Sequence, residues 1–309
     1  MNKICILGSL NMDIMVKVNS MPKVGETIIG NNLMNIPGGK GANQAVAAKR
    51  SGAFVYMLGK VGLDSNGNRL IEELKKDNIN VDHIYKDENK PTGTAIITVD
   101  EIGNNSIIVV PGANMKITPQ ELNMAMEAIK SCNILVTQFE INMDIIVKAF
   151  KTAKKYGVIT ILNPAPAKQV PDELLQYTDV IVPNETEAYE LTKVQVNDLK
   201  TAKESAKIFL KKGVKYVIIT MGEKGAALIG DEGCEIIPAY KVPVADTTAA
   251  GDSFIGALAS KLESSDLNYN NLRSAVVFGN KVSSIAVQRE GAQPSIPTID
   301  EVMKIYKEA

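Results

Sequence analysis

Several residue types that mark particular classes of protein are scarce or missing in this 309-residue chain. It contains no tryptophan, one histidine (His83) and three cysteines, Cys5, Cys132 and Cys234. The cysteines lie far apart without CxxC spacing, which argues against a disulfide framework and a zinc site. One histidine excludes a histidine-cluster metal site. Because His83 lies in a polar segment, we expect it in a surface loop or at a strand edge.

Charge of one sign is not in excess either, because 34 basic residues face 35 acidic ones and the net charge is −1. Binding to nucleic acid or to an anionic membrane is usually accompanied by a basic excess. The chain has no apolar run of transmembrane length, and residues 1–7 resemble a β-strand rather than a signal peptide. We therefore expect a cytoplasmic protein without a nucleic-acid or membrane partner.

Two glycine-rich nucleotide signatures are absent from the sequence. Neither Gly-x-x-x-x-Gly-Lys-Ser/Thr nor Gly-x-Gly-x-x-Gly occurs. A P-loop enzyme and a nicotinamide-dependent oxidoreductase therefore lose their main support.

Short β-branched segments alternate with longer helical patterns through most of the chain. This alternation predicts a doubly wound α/β fold, in which a mostly parallel sheet is flanked by helices. The predicted strands are 4–7, 55–58, 134–137, 158–162, 180–182 and 216–220. The predicted helices are 42–50, 66–76, 119–130, 145–155 and 202–212.

Residues 13–36 and 94–110 interrupt this alternation. Strand-like patterns at 14–18, 27–29, 95–99 and 107–110 have no helices between them, which predicts a separate small sheet. We expect it to be inserted in the α/β core as a lid or an interface, although a purely packing role is the alternative. Because no repeat or Pro/Ser-rich linker is present, we expect residues 1–309 to form a single domain.

The segment 246–252, Asp-Thr-Thr-Ala-Ala-Gly-Asp, runs directly into an apolar helical pattern. Small residues at a helix start leave backbone N–H groups approachable by an anion, and the helix dipole favours negative charge there. We therefore expect an anion hole at Ala249, Ala250, Gly251 and Asp252, with the Asp252 carboxylate as a base. This combination suits phosphoryl transfer to a hydroxyl, although Asp246 as a simple helix cap is the alternative.

Polar residues follow five of the predicted strands, where parallel strands bring loops to one edge of a sheet. Asn11, Asp13 and Glu140 offer acceptors and amide donors suited to the hydroxyls of a small polyol. Asn184 and Glu187 lie one helical turn apart, so they could face a phosphate and hold Mg²⁺ through water. Such residues are also common in ordinary turns.

The loop 37–43, Pro-Gly-Gly-Lys-Gly-Ala-Asn, precedes another helix. Its glycines would let backbone N–H groups approach a ligand closely, with Asn43 directed at the pocket. The alternative is a flexible turn with a solvated lysine.

Together these segments resemble the PfkB carbohydrate kinase family almost end to end. The resemblance is carried by residues 8–13, 37–44, 138–140, 163–166, 183–187, 246–252 and 291–295, of which 37–44 and 246–252 correspond to the two family signatures. Gly-Gly-Lys-Gly-Ala-Asn-Gln and Asn-Pro-Ala-Pro also resemble the branch that phosphorylates ribose.

The resemblance implies ATP-dependent phosphorylation of D-ribose at O5, giving ribose 5-phosphate and ADP, with Asp252 as the general base. It places at the sugar site Asn11, Asp13, Gly39, Lys40, Asn43 and Glu140. It places at the ATP site, beside Glu187 and Gly251, the residues Asn184, Thr220, Gly222, Gly225 and Asn280. It assigns to a monovalent cation, usually K⁺, the residues Asp246, Thr248, Ala286, Arg289, Gly291 and Ser295.

The resemblance also implies a homodimer formed through the lid, and we expect Mg²⁺ as a cofactor from the spacing of Asn184 and Glu187. Another sugar kinase of the same family, acting on 2-deoxyribose, a ketohexose or a nucleoside, is the nearest alternative. A non-catalytic sugar sensor on the same fold is a further alternative, but it would be expected to lack the base or the anion hole.

Overall fold

The computed structural model describes residues 1–307. Within these residues the chain forms thirteen β-strands and eleven α-helices. The strands are β1 (Lys3–Leu7), β2 (Asn11–Lys17), β3 (Asn32–Gly38), β4 (Phe54–Gly62), β5 (Asn80–Asp87), β6 (Gly93–Val99), β7 (Asn105–Val110), β8 (Ile134–Thr137), β9 (Ile159–Leu162), β10 (Val180–Ile181), β11 (Tyr216–Thr220), β12 (Ala226–Gly230) and β13 (Gly233–Ile237). The helices are α1 (Lys40–Arg50), α2 (Ser65–Lys76), α3 (Pro119–Met124), α4 (Met126–Ser131), α5 (Met143–Lys155), α6 (Asp172–Gln176), α7 (Glu185–Thr192), α8 (Leu199–Leu210), α9 (Ala250–Lys261), α10 (Tyr269–Ala286) and α11 (Ile299–Tyr306).

Nine of these strands form one large sheet in the order β13-β12-β11-β10-β9-β8-β1-β4-β5. All neighbours from β5 to β11 are parallel, whereas β12 and β13 add antiparallel strands at one edge. The prediction of a mostly parallel, doubly wound sheet is therefore confirmed. Strands β5, β12 and β13 were not predicted, and His83 lies in the edge strand β5, as its polar surroundings indicated.

The large sheet has a hydrophobic core on each face. In β1, Ile4 and Ile6 join one core while Cys5 and Leu7 join the other, because successive side chains point to opposite faces. Helices α1, α2, α9 and α10 cover the first core, and α3 to α8 cover the second. Burial on both faces explains why these strands are continuously apolar.

Four strands form a separate small sheet in the order β3-β2-β6-β7. The hairpin of β6 and β7 agrees with its prediction, but the strand predicted at 27–29 is wrong. The partner of β2 is β3, which pairs from Asn11 opposite Gly38 to Lys17 opposite Asn32. Strand propensity at 27–29 was a poor guide because cross-strand pairing decides which extended segment joins a sheet.

The helix predicted at 119–130 is two helices. A capping box between Thr118 and Glu121 starts α3. The helix is interrupted at Ala125, where ψ is 0°. The two short helices bury Leu122 and Ile129 in the same core. The apolar spacing indicated this burial but not the break.

Helices α1 and α9 pack in close contact, which positions their first turns. A Cβ atom on Gly256 of α9 would lie 2.5 Å from both the Gln44 carbonyl oxygen and the Ala47 Cβ atom of α1. Only glycine permits this approach. As a result, the first turns of α1 and α9 face each other at the carboxyl ends of the strands.

Candidate active site

Asp252 lies in the first turn of α9 and is 8% exposed. Its two carboxylate oxygens accept hydrogen bonds from two side-chain amides of α1: Asn43 Nδ2 at 3.0 Å and Gln44 Nε2 at 2.9 Å. These bonds hold the carboxylate in one orientation. The base predicted from the sequence is therefore a buried and oriented acceptor.

The start of α9 offers free backbone donors beside this carboxylate. Ala249 has a left-handed conformation (φ 59°) that starts the helix. Within residues 1–307, the N–H groups of Gly251 and Asp252 donate to no protein acceptor. The Ala250 N–H, which is also expected in the anion hole, donates in this structure to the Thr247 carbonyl at 3.1 Å.

Sequence reasoning did not assign a role to Gln44 or Gln138. Gln138 Nε2 donates to Gln44 Oε1 at 2.6 Å, and Gln44 Nε2 is shared between Asp252 and Asn163 Oδ1 at 3.2 Å. Both glutamines are fully buried. Their positions inside the motifs 37–44 and 138–140 were the available signal, since a buried amide needs partners.

Asp13 and Glu140 lie near Asp252 and carry the same charge. Burial, followed by the charges of Glu140 and Asp252, raises the pKa of Asp13 to about 7. Glu140 Oε2 accepts from the Ser9 hydroxyl and from the Lys40 N–H at 3.4 Å. A raised carboxylate pKa in a polar recess is typical of a functional site.

Lys40 lies among the acidic groups at the start of α1. Burial opposes its charge, but Asp252, Glu140 and Glu187 raise the pKa of Lys40 above its ordinary value. Next to it, Gly39 (φ 90°) allows the loop to pass against Asn11, 2.7 Å from the position of a Cβ atom. The lysine is therefore not the solvated side chain of the alternative interpretation.

A cavity of about 180 Å³ connects several predicted residues. Its walls include, among the residues predicted from the sequence, Lys40, Asn184, Glu187, Thr220, Ala249, Ala250, Gly251 and Asp252. A Cβ atom on Gly251 would meet nothing within 4 Å. The space in front of the free N–H groups is therefore open to a ligand.

A larger cavity, of about 550 Å³, lies elsewhere, between α6, α7 and α8. Lys212 in its wall pairs with Asp172 at 2.9 Å. We assign the site to the smaller cavity because two carboxylates (Asp252 and Glu187), the free N–H groups and Lys40 line it, whereas Asp13 and Glu140 are not among its lining residues.

Asn184 and Glu187, which line the smaller cavity, form a capping box at the start of α7. Asn184 Oδ1 accepts from the Glu187 N–H at 2.7 Å, and Glu187 Oε2 accepts from the Asn184 N–H at 2.9 Å. Burial raises the pKa of Glu187 despite this bond and the charge of Lys40. The second oxygen of Glu187 remains for a ligand, so one carboxylate serves both the helix and the cavity.

Three other residues predicted for the nucleotide lie in or beside the turn after β11. Gly222 begins the turn (φ 53°), and Gly225 (φ 102°) ends it against the Ile237 carbonyl oxygen. Asn280 Nδ2 donates to the carbonyl oxygens of Ile237 and Pro238, each at 3.1 Å. Asn280 therefore fixes the chain that leaves β13.

The residues predicted for a cation form one connected region. Asp246 accepts from the Thr248 N–H and hydroxyl and from the Gly291 N–H. Burial opposes the charge of Asp246, but these bonds lower its pKa below the ordinary value. Ala286 and Arg289 share a turn (Arg289 N–H to Ala286 O, 3.1 Å), and the Ser295 hydroxyl donates to Ala292 O.

Two further findings concern the described part of the chain. No group of three or more His, Cys, Asp and Glu side chains in residues 1–307 is arranged to hold a metal ion. Among the helices of the same residues, none has the length and apolar character that a membrane crossing needs.

The profile of the pfkB family carbohydrate kinases matches residues 1–299. The chain belongs to the PfkB family. Its match to the family is consistent with the geometry, because the two PfkB signatures form the first turns of α1 and α9 that meet at Asp252.

Curated relatives of this PfkB kinase cover almost all of its length. It is 43% identical to ribokinase of Staphylococcus aureus over 305 residues, which is 98% of this chain and 99% of the relative. It is 42% identical over all of its residues to a bifunctional ribokinase/ribose-5-phosphate isomerase A of Fructilactobacillus sanfranciscensis. The chain spans 57% of that longer protein.

A solved structure of Arabidopsis thaliana ribokinase complexed with ribose and ATP has the same fold as this PfkB kinase. The TM-score is 0.90 at 32% identity, covering 100% of this chain and 99% of that one. The chain therefore has the ribokinase fold, including both sheets.

Proposed function

We propose that this PfkB kinase transfers the γ-phosphoryl group of ATP to O5 of D-ribose, giving D-ribose 5-phosphate and ADP. The observation that carries the proposal is the start of α9. There a buried, oriented carboxylate and two free N–H groups face one cavity. The relatives named ribokinase support the choice of sugar.

Asp252 receives the proton in the proposed reaction. The 5-hydroxyl oxygen attacks the γ-phosphorus, and the bond from this phosphorus to the β–γ bridging oxygen breaks, so ADP leaves with the bond's electron pair. The hydroxyl proton passes to the Asp252 carboxylate. The loose transition state of phosphoryl transfer needs alignment and charge neutralisation more than a strong base.

The free N–H groups of Gly251 and Asp252 stabilise the charge on the transferring group. Donors fixed before the reaction do not have to reorient, which is why they stabilise a transition state effectively. The dipole of α9 adds to this field. Lys40, which also lines the cavity, supplies a positive charge.

The sugar end of the site comprises hydroxyl-binding groups around Asp13. Asp13 and Glu140 accept hydrogen bonds from hydroxyls, and Asn11 and Asn43 supply amides. The Oδ1 atom of Asn43 is buried without a partner in residues 1–307, so it is available to a hydroxyl. Four such groups suit a polyol better than a planar nucleobase.

We assign Mg²⁺ to the phosphate end and K⁺ to the Asp246 region. Glu187 and Asp252 face one cavity, and carboxylates together with substrate phosphates are the usual surroundings of Mg²⁺, which neutralises phosphate charge. Asp246, Thr248 and nearby carbonyl groups form an all-oxygen donor set, which suits a hard cation. Asp246 would hold K⁺ while its bonds to Thr248 and Gly291 keep the loop before α9 in place.

Residues 1–309 are proposed to act as a single domain with the small sheet as its lid. Asn11 and Asp13 lie in β2, so this sheet carries part of the sugar site. Closure over the sugar would exclude water from the phosphate. The same sheet is proposed to form a homodimer contact.

A sugar panel tests the proposal. Purified protein with ATP, Mg²⁺ and K⁺ is assayed with ribose, 2-deoxyribose, fructose and adenosine, and ADP release is compared with a sugar-free control. We expect the highest kcat/KM for ribose. With [5-¹³C]ribose, coupling between ³¹P and ¹³C identifies phosphorylation at O5.

Two results would contradict the proposal. ADP release that no sugar increases would exclude a sugar kinase. A higher kcat/KM for fructose or adenosine would instead favour the ketohexose or nucleoside alternative.

A further inference from the structure

Asn114 is not among the site residues predicted from the sequence, and it is 1% exposed. It belongs to the short 3-10 helix Gly112–Lys116 after β7. Its Oδ1 accepts from the Leu10 N–H at 2.9 Å, and its Nδ2 donates to the Leu10 carbonyl at 3.1 Å and to Asn11 Oδ1 at 2.8 Å. Both N–H bonds of the Asn114 amide therefore have acceptors.

The backbone of Leu10 decides which way the Asn114 amide points. A backbone N–H can only donate and a carbonyl can only accept, so Oδ1 of Asn114 must face the former and Nδ2 the latter. The orientation of a side-chain amide is inferred from its hydrogen-bond partners, and the Leu10 backbone is compatible with one orientation of Asn114. Nδ2 of Asn114 is thus a fixed donor towards Asn11.

This donor in turn fixes Asn11, which lies in β2 and is 3% exposed. Because Asn11 Oδ1 accepts from Asn114, the Asn11 NH₂ group points the other way. Within residues 1–307, that NH₂ group has no hydrogen bond to a protein acceptor, and the one side-chain bond of Asn11 is made through Oδ1. It is a donor prepared for a ligand.

Glycine at position 93 lets the neighbouring strand pack closely against the pair. Gly93 of β6 is the register partner of Asn11, and a Cβ atom there would lie 2.2 Å from Asn114 Nδ2 and 2.3 Å from Asn11 Oδ1. Lys60 Nζ donates to the Lys116 carbonyl at 3.1 Å, which holds the end of the 3-10 helix. Asn114 is thereby tied to both sheets.

We propose that Asn114 is a positioning residue that sets sugar specificity by forcing Asn11 to present only N–H donors. The inference rests on the proposed sugar kinase function. Asn11 and Asp13 are two residues apart in β2 and so lie on one face. The Asn11 NH₂ donor therefore lies beside the Asp13 carboxylate acceptor. This pair matches a diol in which one oxygen accepts from Asn11 and the other hydroxyl donates to Asp13.

The variant Asn114→Asp tests this directly. Its carboxylate still accepts from the Leu10 N–H, but it cannot donate to Asn11 Oδ1, so the Asn11 amide reverses and presents oxygen to the sugar. A lost hydrogen bond with an unpaired group left behind costs about 1.4–2.8 kcal/mol, or roughly 10- to 100-fold. We expect the KM for ribose to rise by this factor while the KM for ATP is unchanged.

Deoxy sugars separate specificity from general damage. In the wild type, either 2-deoxyribose or 3-deoxyribose should have a kcat/KM roughly 10- to 100-fold below that of ribose, because it lacks the oxygen that accepts from Asn11. In Asn114→Asp this ratio should approach one. Asn133→Asp is the matched control, since Asn133 Oδ1 also accepts a backbone N–H, from Lys3 at 2.8 Å, but outside the site.

A measurement independent of turnover keeps the proposal testable if Asn114→Asp fails to fold. In wild-type protein with ¹⁵N-labelled asparagine, the Asn11 side-chain signals, identified by their absence in Asn11→Asp, should shift when ribose is added. The Asn114 side-chain NH₂ should exchange slowly with solvent.

Rapid exchange of the Asn114 NH₂, no response of Asn11 to ribose, or unchanged sugar ratios in folded Asn114→Asp would overturn the inference. If the wild type phosphorylates no sugar, the proposed function fails. Slow Asn114 exchange would then still show that the amide pair is formed.

Discussion

Asp252 illustrates how single atoms decide the chemistry at the residue scale. Both of its oxygens accept amide hydrogen bonds, from Asn43 and from Gln44. Asn43 Oδ1 is buried without a partner in the described residues. An amide placed at 252 could therefore pair with Asn43 after a rotation of the Asn43 side chain.

The variant Asp252→Asn should keep the fold and most of the ribose affinity. Its kcat should fall by about 10²-fold or more, because the proton acceptor is lost. Steady-state kinetics and ribose binding by calorimetry measure the two effects. Asp300→Asn, which also removes a carboxylate from a first helical turn, is the control. Turnover near the wild-type rate would remove Asp252 from the mechanism.

The raised pKa of Asp13 predicts a dependence of stability on pH. Between its ordinary value of 3.8 and about 7, folded Asp13 holds a proton that the unfolded chain has lost. The contribution of this group to the free energy of unfolding therefore falls as pH rises through that window. Above it, a buried negative charge lies near Glu140 and Asp252.

Replacement by a neutral amide should remove this dependence. The Tm of Asp13→Asn minus that of the wild type should increase from pH 5 to pH 8, measured by calorimetry without ligands. The Asp300→Asn control should show a small and constant difference. A constant difference for Asp13→Asn would mean that the carboxylate does not titrate in this range.

At the scale of elements, the start of α9 joins helix geometry to chemistry. The N–H groups of Gly251 and Asp252 are free because they lie in the first turn of a helix. Gly251 has no neighbour within 4 Å of a Cβ position. A side chain there would occupy ligand space without disturbing the protein.

Gly251→Val should therefore fold with a Tm close to that of the wild type while kcat falls by about 10²- to 10³-fold, the range for loss of one such donor. Lys261→Val, an exposed position at the other end of α9, controls for the effect of valine on the helix. Activity assays and thermal unfolding of both variants provide the comparison. If Gly251→Val is fully active, phosphate does not approach this helix end.

The loop before α9 predicts a dependence on the monovalent cation. Asp246 connects Thr248 to Gly291, so a cation bound there would stiffen the segment that leads into Ala249. We expect kcat to rise several-fold when Na⁺ is exchanged for K⁺ at equal ionic strength. The same rate in both salts would argue against the cation site.

At the scale of the whole molecule, β7 leaves an apolar edge on the small sheet. All six of its residues are exposed, among them Ile107 at 55% and Ile108 at 61%. An apolar, unpaired edge strand favours association with a further surface. A second copy of the chain is the proposed partner.

The double variant Ile107→Glu/Ile108→Glu tests this partner, because it places charge on both faces of β7. Light scattering after size exclusion should give the mass of a dimer for the wild type and of a monomer for the variant. Exposed Leu63→Glu, outside the small sheet, should remain a dimer. A monomeric wild type would refute the dimer.

The sequence by itself determined six of the nine strands of the large sheet and the chemistry offered at its edge. Continuous apolar strands such as β8 and β11 were predicted with their observed bounds, because burial on both faces leaves a strong local pattern. Asp252 was found because a helix start and a carboxylate are adjacent in the chain. The prediction of a strand at 27–29 was wrong because residues 32–38 pair with β2 instead.

Only the tertiary structure decided which groups meet. Gln44 and Gln138 lie inside sequence motifs, but their partners and that of Asn114 could not be found from the sequence, since each acts through hydrogen bonds to residues 94 to 208 positions away. The use of the Ala250 N–H by Thr247 likewise follows from the left-handed residue at Ala249. Local composition predicts elements, whereas hydrogen-bond partners are set by how those elements pack.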